Sequence, residues 1–298
     1  MTQEIQLLGS YWTLAVGADP LGEQRCFHDF RERVETAAKA GFTAMGFWHA
    51  DIIEIRKKYG FREMQQILHG SGITQIEVEW LLDWYCTGQR RVLSDETRKL
   101  LLDAAEGLSA RHIKVSDLGN DCADVARLAE EFAVLCRQAA ERGTNVLFEM
   151  LPAAFSRVPS LDQVLAICRE SGAKNGGLML DNLHLQRTGT NLEHIVSKIA
   201  RDVPLGVEIN DGALATPVNL LDSVVNRRLL PGDGEFDIAA FLHALWTQGY
   251  DGPIGVEVLN EYIRRWSLET AATEGFAKTR RVVMAAREKW EAAQVARR

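Results

Sequence analysis

A chain of 298 residues can hold one large domain or two ordinary ones, and its 46% hydrophobic and 25% charged residues match a globular protein with a full core, which excludes a disordered chain. With 34 Lys plus Arg against 41 Asp plus Glu the net charge is −7, a sign that repels a phosphate backbone, so no nucleic-acid partner is expected. The longest apolar runs, such as 146–148 and 177–180, fall far short of the roughly 20 residues of a membrane span, and the first nine residues lack the basic flank and long apolar core of a signal peptide; a cytoplasmic location without a membrane partner is expected.

Taken from the N-terminus, short β-type apolar runs alternate with helical patterns. The first strand is read at residues 11–16. Asp29 with Glu32 three residues on then reads as an N-cap and its N3 partner, opening a helix that stops at Gly41. A second strand at 44–48 leads to a helix over 53–68 that ends against Gly70 and Gly72. After a third strand at 75–80, Ser94, Asp95 and Glu96 read as a helix N-terminus, where anionic side chains face the positive end of the dipole. A fourth strand at 113–116 precedes a helix over 125–142 that repeats Leu, Ala and Phe at helical spacing and ends at Gly143. The fifth strand, 145–150, leads to Ser160 and Gln163, a capping box for a helix that closes at Gly172. Strands at 177–181, 205–209 and 254–258 follow, with helices over 192–200 and 238–248 and a long C-terminal one from Leu268 whose end, from about residue 291, reads as frayed.

Eight strand-like runs, each followed by a helix, are the pattern of parallel βαβ units. The count favours a single (β/α)8 barrel over an open doubly wound sheet, which would need a Gly-rich phosphate turn after an early strand. No such turn is present, and no linker, low-complexity stretch or repeat divides the chain, so residues 1–298 are read as one domain. The five cysteines (Cys26, Cys86, Cys122, Cys136, Cys168) are odd in number and scattered without C-x-x-C spacing. They read as reduced packing residues rather than disulfides or a thiolate metal site.

Four strands of the second half end alike, each with a carboxylate: Glu149 after Val146-Leu147-Phe148, Asp181 after Leu178-Met179-Leu180, Glu208 after Gly206-Val207, and Glu257 after Gly255-Val256. In a parallel barrel those ends converge on the mouth where active sites of the fold are built. Four buried carboxylates repel one another and resist desolvation, and a divalent cation among them resolves the conflict. His184, three residues after Asp181, is placed to act on a bound ligand as acid or base, or to steady a ligand from outside. Lys114 lies in a strand where alternation aims its ammonium at substrate oxygen or a carboxylate, and His49 and Glu77 stand near early strand ends where they would line the pocket. Of Arg227 and Arg228, one is expected to clamp an anionic group of the substrate. Trp12, Trp48, Trp80 and Trp84 are candidates for apolar walls.

Five segments carry a resemblance: Phe148-Glu149, Leu180-Asp181-x-x-His184, Val207-Glu208-Ile209-Asn210-Asp211, Leu230-Pro231-Gly232-Asp233-Gly234, and Gly249-Tyr250-Asp251-Gly252 leading into Val256-Glu257. Together the chain resembles the xylose isomerase-like barrels, a superfamily of sugar isomerases and epimerases, inosose and dehydroshikimate dehydratases and, more distantly, apurinic-site endonucleases. The likeness covers the last five strands well and the first three loosely. It implies that Glu149, Asp181, Glu208 and Glu257 hold one metal ion, and that Glu149 and Glu257 double as the acid/base pair that moves a proton beside a carbonyl. At the position of Glu208 many relatives have His and some dehydratases Gln; an all-carboxylate set is harder and favours Mn²⁺ or Mg²⁺ over Zn²⁺.

The expected function is therefore a divalent-metal-dependent isomerase or epimerase acting on a small sugar-like substrate through an enediolate, with Glu149, Glu257 and His184 catalytic and Lys114, Arg228 and His49 binding substrate. The alternative is a dehydratase or lyase that shares the early steps and expels a hydroxyl or glycosidic group. An endonuclease would need a multi-histidine cluster and a basic groove, and seven histidines in an acidic chain argue against it. A non-enzymatic barrel would be expected to have lost the ligands. Helices of such barrels often pack into dimers or tetramers, so a homo-oligomer is also considered.

Overall fold

The computed structural model describes residues 5–119 and 124–296. Eight parallel strands close into a barrel in chain order, β1 (Leu7–Gly9), β2 (Ala44–Trp48), β3 (Gln75–Leu81), β4 (His112–Ser116), β5 (Asn145–Glu149), β6 (Gly176–Asp181), β7 (Leu205–Ile209) and β8 (Ile254–Val256), with β8 pairing back onto β1. Such strands are covered on both faces, which is why they read as nearly unbroken apolar runs. The outer layer includes the helices Phe30–Ala40, Gly88–Leu108, Val125–Ala140, Leu161–Ser171, Ile238–Gln248 and Leu268–Ala296. Their inward stripes, for example Leu128, Phe132 and Leu135, fill the space against the barrel. Helix ends follow the expected chemistry: Asp29, Asp124, Ser160 and Asp237 accept backbone N–H bonds at N-caps, and Gly41, Gly172 and Gly249 close helices in the left-handed conformation.

Four local expectations are corrected. Residues 11–16 do not form the first strand, which is the shorter β1; Tyr11–Leu14 is a helical turn, and Tyr11 and Leu14 are buried at the spacing of one helix face. The helix expected over 53–68 is two helices, His49–Ile55 and Phe61–Gly70. Ser94, Asp95 and Glu96 sit inside the helix Gly88–Leu108, where the Ser94 hydroxyl donates to the Leu82 carbonyl at 2.6 Å and Asp95 pairs with Arg91 one turn earlier. Asp29 does cap, but Glu32 turns to His28 rather than back to the cap. The last helix keeps its hydrogen bonding through Ala296, and Cys122, Arg297 and Arg298 lie outside the described residues. Cys26, Cys86, Cys136 and Cys168 are buried and form no disulfide. No helix among the described residues is long and apolar enough to cross a membrane.

Register sets the site. Ser116 stands beside Glu149, Asp181 beside Glu208, and Glu208 beside Gly255. Gly255 is required there: a Cβ would lie 2.8 Å from the Val207 carbonyl oxygen and 3.3 Å from Cγ of Glu208. The missing side chain gives Glu208 its room.

Candidate metal centre at the barrel mouth

The four strand-end acids meet. Glu149, Asp181, Glu208 and Glu257 are all buried, and each offers a carboxylate oxygen within 4.8 Å of the others; Glu149, Asp181 and His184 meet the same condition. Local structure fixes each one. Asp181 caps the short helix Asn182–Arg187, its Oδ1 accepting from the Leu183 N–H at 2.7 Å and from Asn210 Nδ2 at 3.0 Å, and this turn returns His184 to the site. Asn182 and Asn210 lock the ends of β6 and β7 together, the Asn182 amide exchanging bonds of 2.8 and 2.9 Å with the Asn210 backbone. One residue further, the Asp211 carboxylate accepts N–H bonds from Gly212, Gly232 and Phe236 and so shapes the Leu230-Pro231-Gly232 loop. The residues before that loop pair with both neighbouring strand exits, Leu229 with Asp211 and the Arg228 N–H with the Leu259 carbonyl, which turns Arg228 inward.

Two cations share the acids. Lys114 Nζ lies 2.5 Å from Glu79, 2.8 Å from Glu208 and 2.9 Å from Glu257. Arg228 Nη1 bridges Asp181 at 2.7 Å and Glu257 at 2.8 Å, while its Nε donates to the Val224 carbonyl. Both are therefore held by the protein's own carboxylates. Arg227 points to the surface, paired with Asp222 and Glu261. Five carboxylates (Glu79, Glu149, Asp181, Glu208, Glu257) thus face two fixed cations, leaving three formal negative charges to be neutralised in a buried volume.

The ionisation equilibria record that imbalance. Burial pushes Glu208 well above the ordinary carboxylate range, Glu257 adds to the shift, and Lys114 only partly opposes it. Glu79 and Glu149 are raised for the same first reason, with Lys114 pulling the other way. Burial works against Glu257 too, but Lys114 and Arg228 hold it below the usual range. Lys114 is raised despite its burial because Glu208, Glu257, Glu79 and Glu149 surround it. His184 is pushed down to about 4, chiefly by burial against the opposing pull of Asp181. A neutral imidazole follows, with Nε2 3.7 Å from Glu149 and 3.8 Å from Asp181.

A dication fits this donor set. Glu208 Oε2 is buried without a hydrogen-bond partner, and one added double positive charge would reduce the excess of three to one. All-oxygen donors suit a hard ion.

Above the acids opens a cavity of about 420 Å³, lined by Lys114, Glu149, His184, Arg228, Glu257 and Glu79 among others. His49 also lines it, its Nδ1 facing the Trp80 N–H at 3.3 Å and burial pushing it down to about 4. Trp12, Trp48 and Trp80 form part of its wall, but Trp84 does not: it is buried against Phe132 and Phe148. Glu77 is corrected as well. It lies deeper in the barrel, 3.1 Å from His112, and Glu79 reaches the cavity instead. Sequence reasoning missed Glu79, Ser116, which donates to Glu149 at 3.2 Å, and the bracing roles of Asn210 and Asp211. Alternation along Gln75–Leu81 carried the signal for Glu79, since it places both acids on the inward face with Glu79 nearer the mouth.

A model of the xylose isomerase-like TIM barrel family matches residues 34–282. The chain belongs to this family. A 3-dehydroshikimate dehydratase from Pseudomonas aeruginosa is 25% identical over 248 residues, 82% of this chain and 38% of that protein. An inosose isomerase from Bacillus velezensis is 28% identical over 146 residues, 49% of this chain and 51% of that one. The chain therefore spans about two fifths of the dehydratase and half of the isomerase. Among solved structures, the IolI protein with a bound zinc atom superposes with a TM-score of 0.81 at 18% identity, covering 95% of this chain and 99% of that one. That likeness shows the shared fold of the family.

Proposed function

We propose that the mouth of this barrel is the active site of a divalent-metal-dependent enzyme that takes a proton from the carbon beside a carbonyl of a small hydroxylated substrate, as a sugar-type isomerase or epimerase does. The reading is supported above all by the convergence of Glu149, Asp181, Glu208 and Glu257 within 4.8 Å of one another while their charge is only partly balanced. These four would hold the ion, and Mn²⁺ or Mg²⁺ suits their oxygen donors. When bound, it would supply positive charge to substrate oxygens on which negative charge develops.

The chain's own residues then take distinct roles. Glu149 is the base, because Ser116 donates to its Oε2 and no ammonium or guanidinium pairs with it among the ion pairs of the site, so a proton can come and go there. Glu257 is held in its ionised form by Lys114 and Arg228 and orients more than it exchanges. His184, neutral and buried beside Glu149, can donate to or accept from a substrate hydroxyl. His49 faces the cavity and is assigned to substrate oxygens, whereas Lys114, its three N–H donors taken by Glu79, Glu208 and Glu257, fixes the acids, as Arg228 does, rather than gripping substrate.

Elimination is the second reading, and two observations favour keeping it. The relative matched over 82% of the chain is a dehydratase, and a clamped Glu257 leaves one carboxylate free to shuttle a proton where two-base epimerisation asks for two. Incubating the Mn²⁺-loaded protein in deuterium oxide with a panel of ketoses and cyclic hydroxyketones separates the outcomes. Deuterium entering recovered or isomerised substrate supports the isomerase, and an enone absorbance supports elimination. Absence of both, with metal bound, would contradict the proton-abstraction reading.

A further inference from the structure

The cavity is graded in a way that a free sugar does not explain. Its floor holds all the charge, whereas the wall above is built from Trp12, Trp48 and Trp80 on the exits of the first three strands and Leu221, Val224 and Leu259 from the segments after β7 and β8. Several polar atoms at this level are already used. Trp48 Nε1 donates to Gln24 Oε1, Gln24 Nε2 donates to the Pro20 carbonyl, and Trp80 Nε1 donates to Ser116 Oγ. What these residues offer the cavity is ring face and hydrocarbon. A bare polyol stacks one face on an aromatic ring but needs partners for its edges, and hydroxyls pressed against Leu and Val would lose water without replacement. The indoles are also grouped, with Trp12 and Trp48 centroids 4.8 Å apart and Trp48 and Trp80 5.9 Å apart. The apolar wall continues outward to Leu21 and Leu221, 65% and 44% exposed, and exposed apolar patches at a cavity mark binding surface. A volume of about 420 Å³ lies in the range of roughly 300–1,000 Å³ typical of pockets for drug-sized ligands.

We infer that the substrate is two-part: an oxygen-rich, reacting end that meets the charged floor, and a ring-sized apolar substituent, aromatic by the indole lining, seated between the tryptophan wall and the Leu221–Leu259 side. The inference deepens the proposed function and rests on its placing of the reacting end. Selectivity follows from the grading. The apolar substituent anchors by burial, and the reacting end is turned toward Glu149 because the charged floor offers it more hydrogen bonds than the wall does.

Binding is measured without turnover, by tryptophan fluorescence and calorimetry on the Mn²⁺-loaded protein, using methyl and phenyl glycosides of glucose, galactose and xylose. Each phenyl glycoside should bind at least about tenfold tighter than its methyl counterpart, the effect of burying a ring's apolar surface. Trp12→Ala and Leu221→Gln, with unchanged circular dichroism, should each reduce that advantage severalfold. No phenyl advantage with any of the three sugars, whether both members of a pair bind or neither does, would overturn the inference. So would a second copy of the chain covering the mouth and excluding the phenyl probe, seen as a dimer by light scattering. Failure of the parent reading looks different: the protein would take up no ion, yet the phenyl preference would persist.

Discussion

Two buried clusters of charge in this barrel are built on different rules. Arg33 and Asp51 form a closed pair: Nη2 and Oδ2 lie 2.6 Å apart, both side chains are buried, and the other Asp51 oxygen accepts the Cys26 N–H. One positive and one negative charge cancel, and the pair ties the helix Phe30–Ala40 to the helix His49–Ile55 after β2. At the mouth five carboxylates face Lys114 and Arg228; a buried atom without a partner occurs in both clusters, Arg33 Nε in one and Glu208 Oε2 in the other, but only the mouth carries charge that does not cancel. Burial of charge is thus not in itself the mark of a site. The mark is charge that converges from separate strands without cancelling, because that arrangement is stable only with something else bound or with protons retained.

The largest effect that would break the comparison comes from Glu257→Gln. If this acid is both ligand and anchor for Lys114 and Arg228, turnover should fall by at least about a hundredfold and the bound Mn²⁺ measured by elemental analysis should drop. An active variant would remove Glu257 from the site. Asp51→Asn comes next, and should cost about 3–5 kcal/mol of stability by leaving Arg33 buried and unpaired, with metal content intact; chemical denaturation with and without Mn²⁺ should show no rescue. Lys114→Met sharpens the contrast. It too should destabilise the metal-free protein, by raising the excess negative charge from three to four, but saturating Mn²⁺ should restore much of the loss, since ligand at about 100 times its dissociation constant adds about 2.7 kcal/mol.

The smallest effect concerns pH. His49 is held down to about 4 from an ordinary 6.5 by burial. The unfolded chain then binds a proton on acidification before the folded protein does, so stability is full above about 6.5 and is lost as pH falls toward 4. His49→Gln should reduce the slope of melting temperature over that window, the remainder belonging to groups such as His184 that shift the same way, and an unaltered slope would show that His49 is protonated as usual.

The barrel was legible because β2, β5, β6 and β7 are buried on both faces and read as apolar runs, and because β5 and β6 end in an acid and β7 carries one next to its last residue. β1 was not, since three residues carry too little pattern and the apolar Tyr11–Leu14 turn beside them looks like a strand. The candidate ligands and His184 could be named from their strand-end positions, and Lys114 from alternation. Their mutual pairing could not be, because which acid an ammonium meets depends on barrel closure between β3, β4, β7 and β8. Glu79 was overlooked in favour of Glu77 for a related reason: height along a strand decides between a capped acid inside the barrel and one at the mouth. Of the four tryptophans named as candidate apolar walls, Trp12, Trp48 and Trp80 line the cavity and Trp84 does not, because in sequence a tryptophan facing a cavity and one in the core look alike.

The most direct test is metal stoichiometry by calorimetric titration of Mn²⁺ into chelator-treated protein, followed by thermal melting. One ion per chain, with a rise in melting temperature that Glu257→Gln loses and Asp51→Asn keeps, is the expected result. No uptake, and a melting temperature indifferent to both Mn²⁺ and chelator, would mean that Lys114, Arg228 and retained protons balance the acids unaided, and the metal centre would be refuted.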